Sequence, residues 1–396
     1  MNRNVRRHDG TGEERPSHPL LEAELSAHLF GSLHRADQRL KAEQYVRGLL
    51  ALPGRKTLRN IAAQFDGAAA QQSVHHFITT SPWGWMPIRQ ALARHVQRTL
   101  APEAWVIRST VIPKVGPHSI GVDQQYLPHL GQAVNGQRAL GTWLASGRSA
   151  VPVDWRLRLS DRWLADPLRR RAGIPSDVTA GSLEACVRES VAQVVVATGV
   201  RAGPVVVDVE GVDAVGLARH LSAAGLAHLV RVAAETPLRL DRGRLPKYGD
   251  RGRTAGELAA ALTRLRHRVN PGDGPTMAAT IPVLAPPGGR ADGMLLVGEW
   301  RAGAADPRLW LTGGDAWLTG GDAWLTGADA PSPATLLRLT RLPSVVARDF
   351  AAISEGVGMK DFAGRSFPGW HRHITLASVA HHVAAMRGAR LSPPEV

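Results

Sequence analysis

Cysteine is nearly absent: Cys186 stands alone in 396 residues. One thiol forms no disulfide framework and no cysteine-based zinc site. Lysine is scarce, with five (41, 56, 114, 247 and 360) among 48 basic residues, so 43 are arginine. No run reaches the roughly 18 consecutive apolar residues of a membrane span. The first twenty residues are polar and charged, without the apolar stretch of a secretory signal. No glycine-rich phosphate loop of the Walker or dinucleotide type occurs. These absences point to a cytoplasmic protein whose fold rests on its own core, and an apolar content of 44% suffices for one. At roughly 100–200 residues per domain the length suggests about two domains.

What is present is positive charge. The net is +14, a balance that favours a polyanionic partner. The excess is uneven. Residues 1–100 carry fourteen basic and eight acidic side chains. Segment 238–268 carries nine basic groups against Asp241, Asp250 and Glu257. Clustered arginine suits phosphate contact, because each neutralised phosphate releases counterions.

The pattern along the chain divides it. Residues 1–19 read as a disordered tail. Residues 20–102 read as an all-helical domain: Leu21, Leu25, Leu29 and Leu33 keep four-residue spacing, Tyr45, Leu49 and Leu50 continue a helical face, and Thr57 caps a further helix after the Pro53-Gly54 break. After Pro102 strands begin. Ala104–Arg108, Ser119–Val122 and Gln137–Ser146 read as strands, Ser182–Ala197 as an amphipathic helix, Pro204–Asp208 as a buried strand ending in a carboxylate, Val212–Ala224 as a helix and His228–Val232 as a strand. This order predicts a mixed sheet covered by helices over 103–233. Residues 234–333 form a basic loop followed by strands at Thr280–Leu284, Met294–Trp300 and Leu309–Leu311. A repeat lies in this stretch: AWLTGGD at Ala316–Asp322 begins again at Ala323, where it reads AWLTGAD. Its period of seven is too short for the usual solenoid units and reads as a duplicated strand and turn. Residues 334–396 read as helices, one from about Ser344 and one from His371 to Met386.

Several segments carry a more specific signal. They are QYVRGLL with PGRKT (from Arg39 through Lys56 to Thr57), AWVIRSTVIPK (104–114), HSIGVDQQYLPHLGQAVNGQ (118–137), VPVDWRLRLSDRW (151–163), RRRAGIPSD (169–177), PVVVD (204–208) and GMKDFAGRSFPGWHRHITLASVAHH (358–382). In this order the chain resembles bacterial insertion-sequence transposases of the DDE type, over roughly residues 30–390. The resemblance implies an RNase H-like α/β fold: a mixed sheet with flanking helices, a β-rich insertion and an all-helical N-terminal domain. It also implies chemistry with three carboxylates holding two divalent metals, one activating water or a 3′-hydroxyl and one stabilising the leaving oxygen, with oxygen ligands suited to Mg²⁺.

The sequence departs from that pattern where the chemistry lies. The first aspartate position falls on Arg108. The second is kept as Asp208. On the last helix the family's Tyr, Arg, Glu and Lys positions fall on Thr340, Pro343, Ala347 and Ser354. Asp349 is about 200° around the helix axis from Ala347, and Glu355 lies two turns along. A guanidinium at 108 repels a cation but pairs with a carboxylate, so a salt bridge between Arg108 and Asp208 is expected, with Asp208 vestigial and the other carboxylate positions, Arg108 and Ala347, lost. No metal or cofactor is expected. Mg²⁺ or Mn²⁺ enters only if Asp208 works with a displaced carboxylate, Asp123 or Glu355.

The expected function is therefore a transposase-like DNA-binding protein without catalysis, in a domesticated or regulatory role on the nucleoid. Its partner is double-stranded DNA, the resemblance adds a homodimer, and no membrane is involved. The expected DNA contacts are Arg55, Lys56 and Arg59 at helix starts, Lys114, and Arg239, Arg242, Arg244, Lys247, Arg251 and Arg253 in the basic loop. The rival functions are an active transposase using displaced carboxylates and a non-DNA assembly role on the same fold. His371, His373, His381 and His382 invite a zinc reading, but residues two apart do not share a helix face and packing or phosphate contact is the better account. Asp208, Glu210 and Asp213 form a carboxylate cluster at a strand end that alone supports weak metal binding at most. Cys186, on an apolar helix face, reads as buried and inert.

Overall fold

The computed structural model describes residues 23–65, 70–127, 131–197, 200, 203–248, 254–272, 274–285, 293–301, 303–304, 306–313 and 331–391. The expected tail 1–19, the AWLTGGD repeat, Arg251 and Arg253 lie outside the described residues.

Five helices open the chain: α1 (Ala23–Phe30), α2 (Ala36–Ala51), α3 (Leu58–Ala62), α4 (Ala70–Thr79) and α5 (Met86–Leu100). They pack through Leu29, Phe30, Tyr45, Leu49, Ile61, Phe77 and Leu92, all buried. Gly54 makes the break before α3 at φ +63°, a left-handed turn that glycine adopts without strain. Thr57 then caps α3, its hydroxyl accepting from the Asn60 amide at 3.1 Å. The helical N-terminal part is as expected.

Next come β1 (Ala104–Pro113), β2 (Val122–Leu127), β3 (Gln132–Ala145) and β4 (Ala150–Leu157), then α6 (Asp161–Leu164), α7 (Leu168–Ala172), α8 (Leu183–Ala197), β5 (Val205–Asp208), α9 (Ala214–Ala223) and β6 (His228–Arg231). β1 runs antiparallel to β3 and parallel to β5, and β5 is parallel to β6. The parallel strands are buried on both faces, which is why VVV in β5 and LV in β6 are continuous apolar runs and not alternating ones. β2 and β4 share the far side of β3, each pairing with a different half of it. β4 is not among the strands expected from the sequence; its sequence AVPVDWRL carries a proline and an aspartate, both poor strand signals.

The remaining elements are β7 (Arg239–Leu240), α10 (Ala255–Ala261), β8 (His267–Val269), β9 (Thr276–Leu284), β10 (Met294–Trp300), β11 (Arg308–Gly313), α11 (Pro333–Asp349) and α12 (Phe367–Leu391). The strands of segment 234–333 do not form a separate layer. β11 pairs antiparallel with β6, and β10, β9 and β7 follow, giving one sheet in the order β2-β3-β1-β5-β6-β11-β10-β9-β7. α11 starts eleven residues before the expected Ser344, because Ser332 caps it through the Thr335 amide and Pro333 occupies the first turn. It lies across the sheet against β5, β1, β3 and β4 and passes into a π-helical turn at Phe350–Ser354. α12 is buried along most of its length between β4 and the N-terminal helices α2 and α4. Among the described residues no helix is long and apolar enough to cross a membrane.

Candidate functional site

The parallel strands β1, β5 and β6 end their apolar runs at one level of the sheet, and each carries a charged residue there. Carboxyl ends of parallel strands form the crevice where α/β proteins place their ligands. Register fixes the arrangement. Arg108 stands directly beside Asp208. Val207 pairs with Val230, which brings Arg231 to the other side of Asp208. Arg231 in turn faces Trp310, and Arg308, two residues before Trp310 on the same face, faces Glu299. One face of the sheet therefore carries a row that runs across five strands.

Asp208 is the anchor of this row. Its Oδ2 accepts from Arg108 Nε at 3.0 Å and its Oδ1 from Arg231 Nη1 at 3.0 Å. The carboxylate is 7% exposed, whereas the two arginine side chains are 30% and 37% exposed. The salt bridge expected between Arg108 and Asp208 is present, and the sequence reading missed its second arginine. Further along, Glu299 is fully buried. Arg301 Nε lies 3.1 Å and Arg341 Nη2 3.4 Å from its Oε1. Arg308 donates to Ser344 Oγ of α11 at 3.4 Å. Partial burial and the neighbouring guanidiniums of Arg301 and Arg231 hold Arg308 below its ordinary value.

α11 covers the same face of the sheet. Ala347, one turn beyond Ser344, is exposed. The other aligned positions of this stretch serve packing. Thr340 is buried with its hydroxyl donating to the Leu337 carbonyl, Pro343 is buried inside α11, and Ser354 is buried in the π-helical turn, where its hydroxyl pairs with His381 Nδ1 at 2.8 Å.

The candidate replacement carboxylates are occupied elsewhere. Asp123 on β2 is opposite Gly136, which is opposite Pro113. That is five residues along β1 from Arg108, roughly 17 Å, and two strands over. Asp123 faces Arg162 at 3.9 Å. Glu355 pairs with Lys360 at 2.5 Å. Asp349 accepts from the Ala150 amide at 2.7 Å and from Arg348 at 2.8 Å. Asp213 caps α9 through the Gly216 amide, and its own amide donates to Glu184. Among the described residues no three His, Cys, Asp or Glu side chains group closely enough to hold a metal ion. With both oxygens of Asp208 held by guanidiniums, the side chains present do not fit a divalent cation at this position.

The expected DNA contacts divide into outer and inner groups. Arg55 and Arg59 are exposed around the α2–α3 turn, and Arg239, Arg242, Arg244 and Lys247 are exposed around β7 and after it. Lys56 is different: it is buried, its ammonium donating to the Leu52 carbonyl and its backbone amide to Asp361 at 2.7 Å. Its stem packs against Gly358, at φ +78°, where a side chain would collide with it. Lys56 is thus a packing residue, not a surface cation. Lys114 donates to the carbonyls of Lys360 and Phe362 at 2.7 and 2.8 Å, and burial lowers it to about 8.

The four C-terminal histidines are all buried on α12; three are hydrogen-bonded, and His382 meets another ring edge-on. His371 stacks on Trp85 with centroids 4.7 Å apart. His373 joins Tyr45 Oη at 2.8 Å and the Gly358 carbonyl at 2.9 Å. His381 reaches the Ala150 carbonyl at 2.9 Å. His382 packs against the ring of His95 at 5.0 Å. They are core groups, and burial holds each below its ordinary value, His373 and His381 at about 4 and His382 at about 3. Cys186 is buried, as expected.

Arg231, Glu299, Arg301 and Arg308 are site residues that the sequence reading did not single out. The available signal was the repeated form of the strands: HLVR ends as VVVD does, with one charge after an apolar run.

Two comparisons bear on this arrangement. Residues 28–277 match the model of a family described as DDE superfamily endonuclease. A protein of Microchaete diplosiphon named "Probable transposase for insertion sequence element IS701" is 30% identical over 128 residues, which cover 31% of this chain and 33% of that protein. The chain thus spans about a third of the length of the curated relative it matches. The order β4-β3-β1-β5-β6, with β1, β5 and β6 parallel and helices before and after β5, is an RNase H-like core. With the family model covering well over half of the sequence and the fold in agreement, the chain belongs to the DDE superfamily endonucleases.

Proposed function

We propose that this chain is a transposase-derived protein that binds double-stranded DNA and has lost metal-dependent cleavage and strand transfer, acting in a domesticated or regulatory role. The observation that carries this reading is the saturation of Asp208. Both of its oxygens are engaged by Arg108 and Arg231 at 3.0 Å. Oxygen ligands bind Mg²⁺ through free lone pairs, and a guanidinium within about 4 Å repels the cation by several kcal/mol at an effective dielectric of about 20. DNA affinity would come from the exposed arginines around Arg55, Arg59 and Arg239–Lys247, which contact phosphates without base chemistry. A homodimer on the nucleoid is part of the proposal.

The test is retention of duplex DNA against salt concentration, together with nicking assays in Mg²⁺ and Mn²⁺. The expected result is binding whose logarithm falls linearly with log salt and no metal-dependent nicking. Metal-dependent nicking that disappears in Asp208→Ala would overturn the catalytic half. Absence of salt-dependent retention would overturn the DNA half and favour an assembly role. Light scattering reads the dimer.

A further inference from the structure

Among the described residues the row on the strands holds two carboxylates, Asp208 and Glu299, and four arginines: Arg108 and Arg231 on Asp208, Arg301 on Glu299, and Arg308 opposite Glu299 in register. These described side chains of the row carry a net +2 on one face of the sheet. An ion-pair network built for stability alone would match its charges, because uncompensated guanidiniums at close range repel one another. This one does not, and three of its arginines retain 30–37% side-chain exposure. Their carboxylate partners are spent: Asp208 is 7% exposed and Glu299 not at all. Arg108 uses Nε, and Arg231 uses one terminal nitrogen, on Asp208, which leaves further donors on each partly exposed fork. Arg301 Nη2 is buried without a hydrogen-bond partner among the described residues. Arg308 stands between the two carboxylates, tied only loosely to Ser344. Planar forks with several unspent donors bind tetrahedral oxyanions in bidentate fashion.

We infer that the arginine row between Asp208 and Glu299 is a metal-independent binding site for a phosphomonoester dianion. A dianion offsets the +2 excess, whereas the single charge of a phosphodiester leaves one positive charge uncompensated. Asp208 and Glu299 act as struts, holding the guanidiniums at fixed spacing and excluding cations from the position. Two sources present the same chemistry, the 5′-phosphate at a DNA strand end and a free phosphate. The strand end rests on the DNA-binding reading above, and the free phosphate does not.

Inorganic phosphate titrated into the full chain, followed by calorimetry and by ³¹P line width, tests the site without DNA. Saturable binding is expected, weakened about tenfold in Arg308→Ala, as for loss of one charge-assisted contact. Arg301→Gln should weaken it comparably, and Arg35→Ala, an exposed residue paired with Asp37 far from the row, should not change it. Circular dichroism and the urea midpoint of each variant separate lost binding from lost folding. No saturable binding up to about 10 mM, or equal affinity in Arg308→Ala and the unmodified chain, would overturn the proposal. Duplexes with 5′-phosphate and 5′-hydroxyl ends then identify the source. Tighter binding of the phosphorylated end, removed by Arg308→Ala, assigns the strand end; equal duplex binding with phosphate still bound assigns the free ligand. Phosphate binding with no DNA retention would overturn the DNA-binding reading and leave the site intact.

Discussion

Two arginine–aspartate pairs in this molecule look alike in sequence and behave differently in the fold. Arg89 meets Asp154 at 2.8 Å where α5, β4 and α12 join, with side chains 3% and 7% exposed. Arg108 meets Asp208 at 3.0 Å, with the arginine 30% exposed. Arg89 spends its whole fork inside the protein. Nε donates to Thr375, Nη1 to Asp154 and the Trp155 carbonyl, and Nη2 faces His371 and its carbonyl. One guanidinium there satisfies many acceptors. At the sheet end one carboxylate holds two guanidiniums, and donors are left over. The first arrangement is a fastener and the second a receptor. What separates them is the ratio of donors to acceptors and access to water, not pair distance.

Acid should first loosen the buried core of α12, beside the fastener. In the fold, burial keeps His373 and His381 at about 4 and His382 at about 3, while the unfolded chain takes up protons near 6.5. The unfolded state thus binds more protons in the window between, so stability is full above about pH 6.5 and is lost as pH falls toward 4. Three such groups imply a loss on the order of 5 kcal/mol by pH 5, read as a falling urea midpoint between pH 7 and 5. A midpoint flat over that range would show that these rings are not held neutral. Removing the fastener's hub comes next. Arg89→Met leaves Asp154 charged and buried, and a loss of about 3–5 kcal/mol is expected; a smaller loss in the double variant with Asp154→Leu would identify the stranded charge as its source.

At the sheet end the effects should be smaller in stability and larger in binding. Asp208→Asn removes the negative charge and one of the two acceptor oxygens shared by two partly exposed arginines. It should lower stability by about 1–2 kcal/mol while tightening phosphate binding, because the freed guanidiniums raise the local charge; weaker phosphate binding with folding intact would mean that Asp208 positions more than it neutralises. Smallest of all, Arg239→Ala with Arg242→Ala, both exposed beside β7, should move the urea midpoint by no more than about 0.5 kcal/mol and lower the salt slope of DNA retention by about 2.

The sequence carried the helical domain and most strands, because leucine spacing and apolar runs record burial directly. Apolar VVV after Pro204 and LV after His228 mark parallel central strands, and they were legible as such. β4 was not, since Pro152 and Asp154 earn their places through partners on α5 and α12 that are distant in sequence. The same limit applied to the site. Asp208 and Arg108 were visible as a kept and a reversed position. Arg231, Arg301 and Arg308 were not, because only cross-strand register, spanning β5 to β10, brings them together. Lys56 was misjudged for a related reason: a cation beside a turn is ordinarily solvated, and its burial depends on Gly358, some 300 positions later in the chain.

The pairing of β11 with β6 bears on how such a chain can change over time. An insertion that folded on its own could be trimmed, lost or exchanged with little effect on the core. Here excision would uncover the backbone of β6 as an open edge, a template for pairing with other chains. It would also remove Arg301 and Arg308. The added strands and the ancestral core are therefore locked into a common fate, and a shortened descendant should be selected against by aggregation before any loss of function is felt.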